Sequence, residues 1–149
     1  MNTTATEPFA QIQSLFDRQR LCVLSTQKDG QPYASLVGFS ATNDLKEFVF
    51  LTPETTRKYD NLIASPKVST LVNNSRNQTD DYYSAVAVTG TGVSQVIDKD
   101  EYRDELAIYL NRHPSLESFS NSPTTAFIRV TMNRYFMVDR FQHVVELKV

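Results

Sequence analysis

The residues with the most chemistry to offer stand together in "FVFLTPETTRKYDNLIASPKVSTLV", Phe48 to Val72. Arg57 and Lys58 are adjacent cations at the point where a helix should begin, directly after Thr55 and Thr56. Unpartnered backbone amides give a helix N-terminus a partial positive charge, so a cation there costs roughly 0.3–1 kcal/mol unless an anion compensates. Free amides, a hydroxyl from Thr55 or Thr56 and two formal positive charges can together cradle an anion the size of a phosphomonoester. Taken alone, the same pattern also describes a threonine cap followed by two solvated cations.

No second constellation competes with this one. His113, His143 and Cys22 are scattered, so no metal-ligand spacing exists. His113 precedes Pro114 and reads as a helix end, His143 as a solvated or packed residue of a terminal strand, and Cys22 as a small buried hydrophobe. Asp80-Asp81 reads as part of a solvated loop. No Ser/His/Asp order or carboxylate pair stands out, and no catalytic acid or base is named.

The candidate site needs elements to hold it. Pro53 and Pro66 bracket "ETTRKYDNLIAS", and proline is excluded from a helix interior, so a short helix lies between them with Tyr59, Leu62 and Ile63 as its buried face. "FVFLT" and "KVSTLV" on either side read as strands. Upstream, Phe9, Ile12, Leu15 and Phe16 follow helical spacing over residues 6–18. Two β-rich runs in "RLCVLSTQKDGQPYASLVGFSAT" meet at Asp29-Gly30, which signals a hairpin. Downstream, the polar loop "NNSRNQTDDYYS" leads to a strand, "AVAVTGTGVSQVI", where Gly90 and Gly92 mark a bulge or a close backbone approach. Asp98 with Glu101 resembles a capping box, opening a helix that carries Tyr102, Leu106, Tyr109 and Leu110 to about Arg112. "HPSLESFSNSPTT" reads as a loop, and "AFIRVTM", "RYFMVD" and "HVVELKV" as three closing strands. The fold class is mainly β: an antiparallel barrel of six to eight short strands with three peripheral helices.

Composition narrows the function classes. A chain of 149 residues fits one domain, residues 1–149. A net charge of -2 argues against a nucleic-acid-binding surface. No apolar run approaches the roughly 18–20 residues that cross a bilayer, and "MNTTATEPFAQIQ" lacks the basic and apolar regions of a secretory signal, so no membrane contact and a cytoplasmic location are expected. One cysteine excludes an intrachain disulfide framework.

The order of residues around the cations resembles the pyridoxamine 5'-phosphate oxidase family, the flavin-binding split β-barrels. There a strand ending in Tyr-Thr is followed by a turn, a Ser-Arg-Lys helix start and an Asn-Pro-x-Val entry to the next strand. The counterparts here are Leu51-Thr52, Thr56-Arg57-Lys58 and Ser65-Pro66-Lys67-Val68. The resemblance is most specific over residues 48–72, looser from Leu21 to Gly92 and weak through "IRVTMNRYFMV". It implies a six-stranded antiparallel split barrel that forms a homodimer with FMN at the subunit interface. Arg57, Lys58 and Thr56 would bind the ribityl phosphate, Thr52 and Leu51 would lie along the cofactor, and the strand Ser35, Leu36, Val37, Gly38 would run beside the isoalloxazine with its backbone facing the pyrimidine edge.

The departures from the family pattern are informative. The chain has no tryptophan, and Arg140 and His143 are not spaced as the Arg-x-His of the vitamin B6 oxidases. Ala85 stands where a glutamine contacts FMN, behind an insertion in which Arg76 and Gln78 are the long-chain donors that would replace it. These differences count against oxidation of pyridoxamine phosphate itself. The resemblance implies an FMN-dependent oxidoreductase of unknown substrate, with deazaflavin F420 as an alternative cofactor. The rival is a non-catalytic flavin- or haem-binding protein on the same fold.

Overall fold

The computed structural model describes residues 7–149, so Thr6 at the start of the expected first helix, with the rest of the N-terminal segment, lies outside the described residues. In chain order the elements are α1 (Glu7–Arg18), β1 (Leu21–Lys28), β2 (Gln31–Gly38), β3 (Ser40–Ala41), β4 (Glu47–Pro53), α2 (Arg57–Ala64), β5 (Lys67–Asn73), α3 (Asp81–Ser84), β6 (Ala87–Ile97), α4 (Arg103–Arg112), α5 (Glu117–Ser120), β7 (Thr125–Asp139) and β8 (His143–Lys148). A 3-10 turn, Pro114–Leu116, precedes α5. The strands form one antiparallel, curled sheet in the order β2-β1-β5-β6-β7-β4-β3, with β8 also paired to β7. This is the split-barrel architecture with eight strands in place of six.

Local chemistry accounts for the turns that matter. Asp29 (φ 55°) and Gly30 (φ 78°) both adopt left-handed backbone, as a two-residue type I′ turn requires, and fold β2 onto β1 with Lys28 opposite Gln31 and Leu21 opposite Gly38. The alternation along β1 puts Cys22, Leu24 and Thr26 inside and leaves Leu21 exposed. Gly92 is needed because a Cβ there would lie 2.6 Å from the Thr131 carbonyl oxygen. The β6–β7 register shifts between Thr91 and Gly92, leaving Asn133 as the extra residue of a bulge, whose side chain accepts from the Thr91 hydroxyl at 2.5 Å. That bulge explains why "AFIRVTM" and "RYFMVD" read as separate strands. They are one 15-residue strand, and the polar Asn133 between them is the bulge residue.

The core centres on Phe16, Phe39, Phe48 and Tyr135, with Phe39 stacked on Phe48 at 5.0 Å between centroids and the Tyr135 hydroxyl donating to the Leu45 carbonyl at 2.6 Å. Arg112, at the end of α4, stacks over Phe39 and donates to the carbonyls of Phe16, Asp17 and Gln19, satisfying orphan acceptors where α1 ends.

Several expectations change. Ile63 is 62% exposed, and the inward position of α2 is taken instead by Asn61, which donates to the Thr26 hydroxyl at 3.0 Å. The two residues lie about 100° to either side of the buried Leu62, so helical spacing alone admits either beside it, and the polar partner on β1 decides between them. Asp98 does accept the N–H groups of Asp100 and Glu101, but it caps an isolated turn and α4 begins at Arg103. The segments expected as plain loops contain single helical turns, α3 and α5. No helix among the described residues is long and apolar enough to cross a membrane.

Candidate functional site

The turn from β4 into α2 is built by two threonines. Thr56 caps the helix: its Oγ1 accepts from the Tyr59 N–H at 3.3 Å and donates to the Pro53 carbonyl at 2.9 Å. Thr52 is fully buried with its hydroxyl 3.0 Å from that of Thr56. The Thr56 hydroxyl is therefore occupied as a cap, and the exposed Thr55 carries the hydroxyl that has no partner among the described residues. The amides of Arg57 and Lys58 have no backbone partner among the described residues.

This turn forms one wall of a cleft of about 590 Å³. Glu54, Thr55, Thr56, Arg57, Asp60 and Asn61 line it from one side, and the end of the β1–β2 hairpin, with Lys28, Asp29, Gln31 and Tyr33, from the other. The Arg57 guanidinium sits 5.7 Å from the Tyr33 ring centroid. Lys28 Nζ reaches Asp60 across the cleft at 2.9 Å, a hydrogen bond that raises the lysine's pKa. Neither Arg57 nor Lys58 has a carboxylate partner among the described residues. Lys58 is half-buried beside the cleft wall and not on it, and burial alone holds its ammonium below the usual lysine range.

The other sequence-derived positions fall elsewhere. Leu51 and Thr52 face the core, so they support the capping turn from behind. On β2, whose one paired neighbour among the described residues is β1, Val37 is buried, Leu36 is 66% exposed, and the buried Ser35 hydroxyl lacks a partner among those residues. The Gly38 carbonyl accepts from the Tyr109 hydroxyl at 2.9 Å. Arg76 and Gln78 follow the Asn73 end of β5, whereas the cleft lies toward the Lys67 end, a strand length of roughly 20 Å away. Within one chain the structure does not bring them to Arg57. Their loop is ordered by Asp81, which accepts from the Arg76 and Gln78 amides, and those hydrogen bonds hold its carboxyl below the usual range. Asp81 is thus a loop-forming residue, not a merely solvated one.

Lys28, Tyr33 and Asp60 were not evident as site residues. The Asp29-Gly30 signal located the hairpin, but nothing local indicates that its end faces α2. Cys22 is inert, its thiol pushed up to about 12 by burial. His113 is buried at the end of α4 with Nε2 2.7 Å from the Phe39 carbonyl oxygen. His143 directs Nδ1 at Asp139, 2.7 Å away, beside a turn in which Arg140, Phe141 and Gln142 all have positive φ. Phe141 is 56% exposed and lies 5.2 Å from the Tyr83 ring. No group of three or more His, Cys, Asp or Glu able to hold a metal occurs among the described residues.

The chain is thus an antiparallel split barrel with a cleft at its β4–α2 turn. Residues 9–139 match the family model of pyridoxamine 5'-phosphate oxidase, and the chain belongs to that family. No curated protein matches it. Among solved structures it resembles a heme binding protein from Mycobacterium smegmatis, with a TM-score of 0.84 at 17% identity over 99% of this chain and 59% of that one, so it spans about three fifths of that protein. The heme storage protein HutZ from Vibrio cholerae gives 0.73 at 18% identity, covering 85% of this chain and 89% of that one. A FAD-binding protein from Mesorhizobium loti gives 0.66 at 16% identity, covering 86% and 91%. At these identities the likeness is one of fold.

Proposed function

We propose that the chain binds FMN as a homodimer and acts as a flavin-dependent oxidoreductase. The observation that carries the reading is the pair Arg57 and Lys58, two cations that among the described residues have no carboxylate partner, beside amides with no backbone partner there and the exposed Thr55 hydroxyl. A phosphomonoester fits that donor set in size and charge. Arg57, Lys58 and Thr55 hold the phosphate, Thr52 and Thr56 fix the turn that presents them, and the β2 backbone from Ser35 to Gly38 runs beside the ring system. The bound flavin supplies the redox chemistry. The homodimer is supported by Leu21 and Leu36, 54% and 66% exposed on the outer face of the β1–β2 hairpin, where an apolar surface asks for a partner. Arg76 and Gln78 meet a flavin held at Arg57 only across such an interface.

A specific observation favours haem as a second reading. Asp139 occupies Nδ1 of His143 and no described residue bonds its Nε2, so His143 would be the residue to hold a haem iron, next to the exposed Phe141. A visible spectrum separates the two. Flavin bands after reconstitution with FMN, bleached by NADH or NADPH, support the first reading. A Soret band on haem addition that disappears in His143→Ala supports the second. Equal affinity for riboflavin and FMN overturns the phosphate role of Arg57 and Lys58.

A further inference from the structure

We infer that Lys28 is a third phosphate-binding cation of this cleft, held by Asp60 until the anion arrives and transferred to it on binding, so that the site prefers a terminal phosphomonoester to a bridging phosphate. The inference rests on the anion-cleft reading above.

Lys28 and Arg57 enter the cleft from opposite walls, one from the end of β1 and the other from the start of α2. The type I′ turn at Asp29-Gly30 fixes the backbone beside Lys28, so only its side chain has to move. Its bond to Asp60 is a poor final state for the charge. The two side chains are 47% and 68% exposed, and an exposed ion pair is weakened by water and salt. A phosphomonoester carries nearly two negative charges near neutral pH, against one for a carboxylate, so it competes well for the ammonium. Asp60, once released, is already exposed, and no buried charge is stranded.

The remaining charges of the cleft set its selectivity. Asp29, Glu54 and Asp60 face Lys28 and Arg57, so carboxylates outnumber cations on the walls. Such a cleft repels an anion except where cations converge on it. A terminal phosphate offers three oxygens to Arg57, Lys28 and the unpartnered amides at the start of α2 together. A bridging phosphate offers two and one charge, and the chain beyond it must run past Glu54 or Asp29.

The test is flavin-fluorescence titration of the full-length protein with FMN, riboflavin and FAD. The variant Lys28→Ala/Asp60→Asn removes both charges of the pair and leaves net charge unchanged, which separates a direct contact from a general field. Its FMN affinity should fall about tenfold, its riboflavin affinity should hold, and its preference for FMN over FAD should narrow. Lys28→Arg should retain FMN. Wild-type FMN affinity in the double variant overturns the inference, as does an equal loss for FMN and riboflavin, which would make the pair only a clamp between hairpin and helix. Arg57→Ala distinguishes the layers. If it loses FMN while the double variant does not, Lys28 alone is wrong, whereas FMN binding untouched in both, or absent from the unmodified protein, refutes the cleft reading as well.

Discussion

Replacing Lys58 with methionine should stabilise the ligand-free protein and weaken its hold on FMN. Lys58 is the second residue of α2, half-buried, without a carboxylate partner among the described residues, and its ammonium is disfavoured by burial. Methionine preserves most of the apolar stem and deletes the charge, so the change isolates electrostatics from packing. Removing a cation from a helix start relieves roughly 0.3–1 kcal/mol. For a chain of this size each kcal/mol moves Tm by about 2–4 °C, so a rise of about 1–4 °C is expected without ligand. Arg57→Met should gain less, because Arg57 is exposed and gives up its contact over the Tyr33 ring. With FMN the order reverses. Loss of one charge-assisted hydrogen bond, about 1.5–3 kcal/mol, weakens binding by about tenfold or more. The assay is thermal denaturation with and without saturating FMN, alongside direct FMN titration. A Lys58→Met protein that is less stable without ligand, or that binds FMN as tightly as the unmodified chain, refutes the view that this cation is kept for an anion at the expense of stability.

Two further outcomes test the scaffold. Gly92→Ala should cost about 1–3 kcal/mol in urea denaturation, because its Cβ meets the Thr131 carbonyl oxygen, which the sheet holds in place; an unchanged midpoint would refute this. Burial lowers the pKa of His113 below its ordinary 6.5, so below that pH the unfolded chain takes up the proton more readily than the folded one. Stability from this residue is therefore full above pH 6.5 and declines as pH falls toward the folded value. His113→Gln should flatten that part of a stability–pH curve, and an unchanged slope between pH 7 and 5 would contradict the assignment.

Features that rest on local rules are legible along the chain. Asp29-Gly30 dictates a tight hairpin because both residues tolerate positive φ, and Pro53 and Pro66 bound α2 because proline cannot sit inside it. The order Thr-Arg-Lys after an apolar strand carried the family, and with it the split barrel, since cation placement at a helix start is a one-dimensional signal. Tertiary structure decided everything that depends on what faces what. Asn61 displaces Ile63 from the buried side of α2 because Thr26, on another element, offers it a hydrogen bond. Asn133 separates two expected strands until β6 is laid alongside and it becomes the extra residue of a bulge in one strand. Lys28 and Asp60 stand 32 residues apart with no local feature joining them, and they share a cleft only because the sheet curls the hairpin back over α2.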